Sequence, residues 1–401
     1  MTAMRLHPTA RDTVEPVAET ECPVGTPGRR RLPLRGKPDP LRVRNPGKEN
    51  VPPAGYGRDA HMRTLVYLGP QRMELQEAAI PAPRRGEVVV RVGASGICGS
   101  DLHGYLGKSR KRVPPLVMGH EIAGTVESVG EGVRDIGPGT AVTVYPFITC
   151  GRCAACRRGD TSLCGARQVI GIDRPGGYAD FVAAPRASVV PVPPGMPVFT
   201  ASFAEPLANA VHLLDRNAAG LVRRVAIFGA GSQGVLALHL ARLLAPAVLV
   251  SVDIVPARLA LARRLGATAA INAQTDDVAA RIRELTGGEG VDLAIEAVGS
   301  SATRQAAVAS VRSGGRVALL GLGEEITPLP AVDIVNREIT IRGSYAYTYD
   351  DFVRAVELLG AGLVPVDWAR PYPLEAGPAV FRQLVTDPGD LIKAVLTPAA
   401  E

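Results

Sequence analysis

The spacing of apolar and polar positions divides the chain into three textures. From Met62 to about Pro193, short apolar runs alternate with polar residues and are cut by Gly and Pro. E-V-V-V-R-V (87–92) and I-A-G-T-V-E-S-V-G (122–130), the second followed by the turn E-G-V, predict short strands. From about Arg223, apolar strands alternate with Ala/Leu/Arg-rich helical stretches. Strands are expected over 224–228, 248–252, 291–298 and 316–320. Helices are expected up to Leu244, from Ala257, over 301–311 and over 350–359. This alternation predicts an α/β fold with a parallel, doubly wound sheet. Residues 1–61 follow neither pattern. They hold ten prolines and the basic run Arg29-Arg30-Arg31, and bury too little apolar surface to offset their ordering entropy. A disordered extension is expected there, with Cys22 in it and without a role.

Composition narrows the function classes. Aromatic residues make up only 4% of the chain, so an aliphatic core is expected. The formal net charge of +6 is concentrated at the front. Residues 1–61 carry eleven Lys/Arg against seven Asp/Glu, and the remaining 340 carry 34 against 32. A body so close to neutral offers no basic face for nucleic acid. No apolar run reaches membrane-spanning length, and the N-terminus lacks the apolar core of a secretory signal. A cytoplasmic chain is expected, in which clustered cysteines are metal ligands and not disulfides.

One candidate site follows the strand at 224–228. Gly229-Ala230-Gly231-Ser232-Gln233-Gly234 is G-x-G-x-x-G between a strand and a helix. Its glycines allow a tight turn and close approach to a pyrophosphate, which the helix N-terminus attracts. Asp253 stands 19 residues beyond Gly234, where an acid bonds ribose hydroxyls and repels a 2′-phosphate. NAD is therefore expected over NADP, a preference that Arg258, five residues on, can soften.

Two sets of residues could bind metal. Cys150, Cys153, Cys156 and Cys164 follow C-x2-C-x2-C-x7-C, four thiolates that can close a tetrahedral shell around zinc with no open position. The second set is dispersed: Cys98 in G-I-C-G-S-D-L-H, His120-Glu121 in G-H-E, and Glu205 in E-P-L-A. A catalytic zinc needs about three protein ligands and one open position, which these residue types can supply. Between the Cys98 and His120 motifs, G-K-S-R-K-R (107–112) reads either as a cradle for an anionic substrate group or as a solvated loop.

Taken together, G-I-C-G-S-D-L-H, G-H-E, the four-cysteine loop, G-G-Y-A-D-F, E-P-L-A and G-A-G-S-Q-G stand in an order that resembles the zinc-dependent medium-chain dehydrogenases. The closest likeness is to the polyol branch of sorbitol, threonine and galactitol-phosphate dehydrogenases. The resemblance runs from Met62 to the C-terminus. It implies a mostly-β GroES-like catalytic domain over 62–205, with a structural zinc loop at 150–164. It further implies a Rossmann domain over 206–340 and a segment, 341–401, that returns to the catalytic domain. Cys98 and His120 match catalytic zinc ligands, with Glu121 and Glu205 sharing the third place. Asp101 matches the acid that orients the zinc-bound histidine, Ser100 the hydroxyl that takes the substrate proton, and His103 the outer relay. Two zincs per subunit, NAD, a small alcohol substrate and a homodimer or homotetramer paired near 339–345 are implied. Gln233 departs from the family's aliphatic residue beside the nicotinamide.

Overall fold

The computed structural model describes residues 60–218 and 221–398. The expected disorder of the extension, its basic run and Cys22 fall outside them. His61 already belongs to a strand, His61–Gly69, paired antiparallel with Arg72–Ala79.

Two large sheets carry the architecture. The first has seven strands, ordered Val189–Pro191, Ala141–Val144, Glu121–Val129, Glu87–Gly96, Ala394–Thr397 and Arg370–Pro373, with Phe181–Pro185 also pairing with Glu87–Gly96. The run predicted at 87–92 is one of its central strands and extends to Gly96. Its alternation is read out by two cores: Val88, Val90 and Val92 face one cluster, and Val89 faces another with Ile80 and Phe181. The last two strands of the chain complete this sheet beside strands from its beginning.

The second sheet has six parallel strands, ordered Ala269–Asn272, Val248–Asp253, Arg224–Phe228, Val291–Glu296, Val311–Leu319 and Thr340–Gly343. The chain runs outward from Arg224–Phe228 in one direction, then returns and runs outward in the other. The order reverses between Arg224–Phe228 and Val291–Glu296, the place where doubly wound sheets bind ligands. These strands read as continuous apolar runs because both faces are covered. Val225 and Ile227 belong to one core cluster, Ala226 and Phe228 to the other. The strand expected at 316–320 is the second half of Val311–Leu319, which begins directly where the helix Ser301–Ser310 ends.

The helix Ala204–Asn217 links the two halves. Leu207, Ala208, Val211 and Leu214 are buried in the same cluster as Val225 and Ile227 of the parallel sheet and Ala94 and Val395 of the first. The helix Tyr349–Gly360 packs on it, started by Thr348 and Asp351, whose side chains and backbone N–H groups bond reciprocally. Among the described residues no helix is long and apolar enough to cross a membrane.

Candidate functional site

Strand register brings the dispersed motifs together. In the first sheet Gly96 pairs with Glu121 on one side and with Val395 on the other. Cys98, His120-Glu121 and Lys393 therefore meet at one end of three adjacent strands. Cys98 caps the helix Gly99–Tyr105, and its backbone N–H donates to Asp101 Oδ2 at 3.2 Å. One ligand atom each from Cys98, His120 and Glu121 fits within a mutual distance of 4.8 Å. Thiolate, imidazole and carboxylate at that spacing match a zinc with an open position.

Asp101 lies behind this trio and is fully buried. Its Oδ1 accepts from Arg112 Nη2 at 2.8 Å and faces His120 Nδ1 at 3.4 Å. Its Oδ2 accepts from Tyr178 Oη at 2.8 Å. Burial opposes its charge, but His120 and Arg112 beside it hold the carboxyl well below the usual range. With Nδ1 turned to Asp101, His120 has Nε2 free for a metal; such a partner fixes the ring and raises its basicity.

Each acid of the set has its own environment. Glu121 is paired with buried Lys393, whose Nζ lies 2.6 Å from Oε1 and also donates to Ile97 O at 2.9 Å. Burial opposes the Lys393 charge, yet the Glu121 carboxylate beside it raises its pKa. Glu205 stands outside the compact trio and accepts from Tyr347 Oη at 2.8 Å. Burial, reinforced by the Glu121 charge, pushes its carboxyl up to about 7. Ser100 is partly buried and His103 exposed, three residues apart on one helix and so on one face.

The four-cysteine loop is a separate lobe. The pairs Phe147–Val169 and Ile148–Gln168 close its base. Cys153 Sγ lies 3.5 Å from Cys156 Sγ, Cys150 Sγ 4.0 Å from Cys156 and 3.6 Å from Cys164. Sulfurs about 2.3 Å from a tetrahedral zinc stand about 3.8 Å apart, so these four fit the ion. Backbone N–H groups of Arg152 and Cys153 draw the Cys150 thiol down to about 6, and desolvation pushes Cys156 up to about 11.

The glycine turn occupies the carboxyl end of Arg224–Phe228 and opens the helix Ser232–Leu243. Gly229 has φ +97°, and a Cβ on Gly234 would stand 1.7 Å from Gly229 O, so neither position tolerates a side chain. Gly231 caps the helix. Asp253 Oδ2 accepts from Ala230 N at 2.6 Å, and Oδ1 from Ile254 N and Val255 N at 2.8 and 2.9 Å. The acid thus ties the turn to the next strand and keeps one acceptor position free on Oδ2. Ser232 Oγ, Gln233 Oε1 and Arg258 Nε are buried without protein partners. Orphaned polar atoms around a Gly-lined turn fit a dinucleotide, which would supply the missing donors and acceptors.

Four residues of the site were invisible as candidates. Arg112 ends the basic run read as a cradle or a solvated loop; Lys108, Arg110 and Lys111 are exposed, but Arg112 folds inward. Tyr178 sits in G-G-Y-A-D-F, a motif that carried family likeness but no assigned role. Lys393 is a lone cation in the apolar run L-I-K-A-V-L, a signal in itself, because an unpaired charge is not buried. Tyr347 gave none.

Comparison with known proteins agrees with this geometry. Residues 84–194 match the alcohol dehydrogenase GroES-like domain and residues 234–361 the zinc-binding dehydrogenase domain. A sorbitol dehydrogenase of Bacillus subtilis is 32% identical over 311 residues, 76% of this chain and 87% of its own. An L-threonine 3-dehydrogenase of Anaeromyxobacter dehalogenans is 35% identical over 309 residues, 75% of this chain and 89% of its own. The structure of an alcohol dehydrogenase of Escherichia coli CFT073, complexed with NADH, superposes with a TM-score of 0.78 at 26% identity. It covers 84% of this chain and 99% of that one. With both domains matched in order and relatives of this identity along three quarters of its length, the chain belongs to the zinc-dependent medium-chain alcohol and polyol dehydrogenases.

Proposed function

We propose that this dehydrogenase oxidises, reversibly, a secondary alcohol within a polyol or related compound, with NAD as hydride acceptor. The observation that carries this reading is the compact trio of half-buried Cys98 with buried His120 and Glu121, with His120 Nδ1 facing Asp101. When bound, a zinc ion supplies a Lewis acid for the alcohol oxygen, and NAD supplies the hydride acceptor. Cys98 and His120 would hold the metal with Glu121; Glu205 nearby is the alternative third ligand. Asp101 fixes the imidazole. Ser100 Oγ receives the alcohol proton, and His103, exposed on the same helix face, passes it to solvent.

Ser232, Gln233 and the backbone of Gly229–Gly234 hold the dinucleotide, with Asp253 disfavouring a 2′-phosphate and Arg258 nearby. Cys150, Cys153, Cys156 and Cys164 hold a second, structural zinc. The subunits pair into a homodimer or homotetramer in the cytoplasm, a reading supported by the edge strand Thr340–Gly343 beside exposed Val332 and Val335. A second substrate reading, an amino alcohol, is favoured by the likeness to an L-threonine 3-dehydrogenase.

Metal analysis of the purified protein, with a panel of polyols, sugar alcohol phosphates and amino alcohols offered with NAD and NADP in parallel, tests the proposal. About two zincs per chain and NAD reduction by a secondary alcohol are expected. A protein that holds both zincs and reduces neither cofactor with any alcohol would overturn it.

A further inference from the structure

Arg112 is the one residue of the 107–112 basic run that turns inward, and it is only 6% exposed. Its seat is built for it: a Cβ on Gly104 would lie 2.1 Å from Arg112 Cδ, so the side chain crosses where the helix Gly99–Tyr105 has a glycine. At the end of that path a single nitrogen, Nη2, donates to two acceptors, Ser100 Oγ at 2.9 Å and Asp101 Oδ1 at 2.8 Å. The same Oδ1 faces His120 Nδ1. One guanidinium thus joins the hydroxyl assigned to proton transfer to the acid that orients a metal-binding histidine.

We propose that Arg112 is a positioning residue that sets the direction of proton transfer through Ser100. The inference rests on the reading that Ser100 receives the substrate proton. A guanidinium has only donors and does not release a proton at any working pH. The lone pair of Ser100 Oγ that faces Arg112 is therefore permanently filled, and the hydroxyl hydrogen cannot point that way. One lone pair and one O–H remain. The free lone pair accepts the proton of the alcohol while the O–H gives its own hydrogen to the exit side, where His103 or water takes it. Serine is neutral before and after, and the bond made to Oγ replaces the bond broken. Without Arg112 the hydroxyl can rotate among several acceptors, and the productive orientation becomes one of many.

The rival role for Arg112 is a brace for Asp101 alone. Asp101 retains Tyr178, the Cys98 N–H and His120 when Arg112 is removed. A double-mutant cycle on the zinc-loaded enzyme separates the two roles. Ser100→Ala, Arg112→Met and the double variant are compared by kcat, KM and the rate at which a chelator strips zinc. Arg112→Met is expected to lower kcat by about 10–100-fold, with KM and zinc loss within about threefold of the parent. In the Ser100→Ala background it should then have almost no further effect on kcat. An equal loss of kcat in both backgrounds, or zinc loss accelerated in proportion to the lost activity, overturns the proposal in favour of the brace. If Arg112→Met does not fold, Arg112→Gln, which keeps a donor for Asp101, takes its place in the same cycle. Failure of the functional reading itself looks different: the parent would reduce no NAD, or Ser100→Ala would leave kcat unchanged.

Discussion

The two candidate metal-binding regions are built on opposite plans. The four cysteines lie within fifteen residues, on a lobe at the surface, and their sulfurs are brought together by one short loop and a two-residue strand pair. Cys98, His120 and Glu121 are brought together by strand register, are backed by Asp101, Arg112, Tyr178 and Lys393, and draw on segments as far apart as residues 98 and 393. In the first region the sulfurs touch one another and local backbone N–H groups. In the second each charge has an opposite charge beside it: Glu121 has Lys393, and Asp101 has Arg112 and His120. A closed structural site needs only ligand geometry. A site with an open position must keep its shape and charge without help from a fourth protein ligand, and the buried network supplies both.

The difference between the two regions is expected to be largest at Cys98. Cys98→Ser should lower kcat/KM by about a thousandfold or more, about 4 kcal/mol of transition-state stabilisation, while the melting temperature stays near that of the parent. Steady-state kinetics and thermal unfolding on the same sample check this, and retained activity would remove Cys98 from the metal site.

Cys153→Ser should do the reverse. Zinc content should fall from about two to about one per chain, and the melting temperature by about 5 °C or more, with kcat near normal at low temperature. Elemental analysis with calorimetry decides, and an unchanged melting temperature would mean that the lobe does not depend on its metal.

The smallest effect is expected at Glu205, beside the Cys98 site. Its carboxyl is raised in the folded state, so its contribution is present below the unfolded value of 4.5 and is lost as pH rises to about 7. The zinc-free parent should therefore lose up to about 3 kcal/mol of stability across that window. Glu205→Gln should flatten this slope, as denaturant titrations at several pH values would record. An unchanged slope would mean that Glu205 is charged when buried.

Legibility in the sequence followed the same division. The four cysteines and the glycine turn are local patterns, and the strands of the parallel sheet announce themselves as continuous apolar runs because both of their faces are buried. The Cys98 site was reached through the likeness of several motifs to one family. Of the partners that shape it, Asp101 was reached in the same way, but Arg112, Tyr178 and Lys393 were not. Which residue faces Gly96 depends on how two strands align across a sequence separation of 25 residues, and no local periodicity states that alignment. Arg112 was hidden by its basic neighbours, whose spacing says nothing about which of four cations turns inward. Tyr347 needed Glu205 to be placed first.

The pairing of Gly96 with both Glu121 and Val395 has a consequence in time. Lys393 Nζ bonds Glu121 and the Ile97 carbonyl across sequence separations of 272 and 296 residues. During synthesis Cys98, His120 and Glu121 leave the ribosome long before Lys393 exists, and contacts so distant in sequence form late. Until they form, Glu121 has no counter-charge and the first sheet lacks its last two strands. The candidate reaction centre is thus among the last parts of the molecule to mature, whereas the cysteine lobe can close as soon as residues 147–169 have emerged.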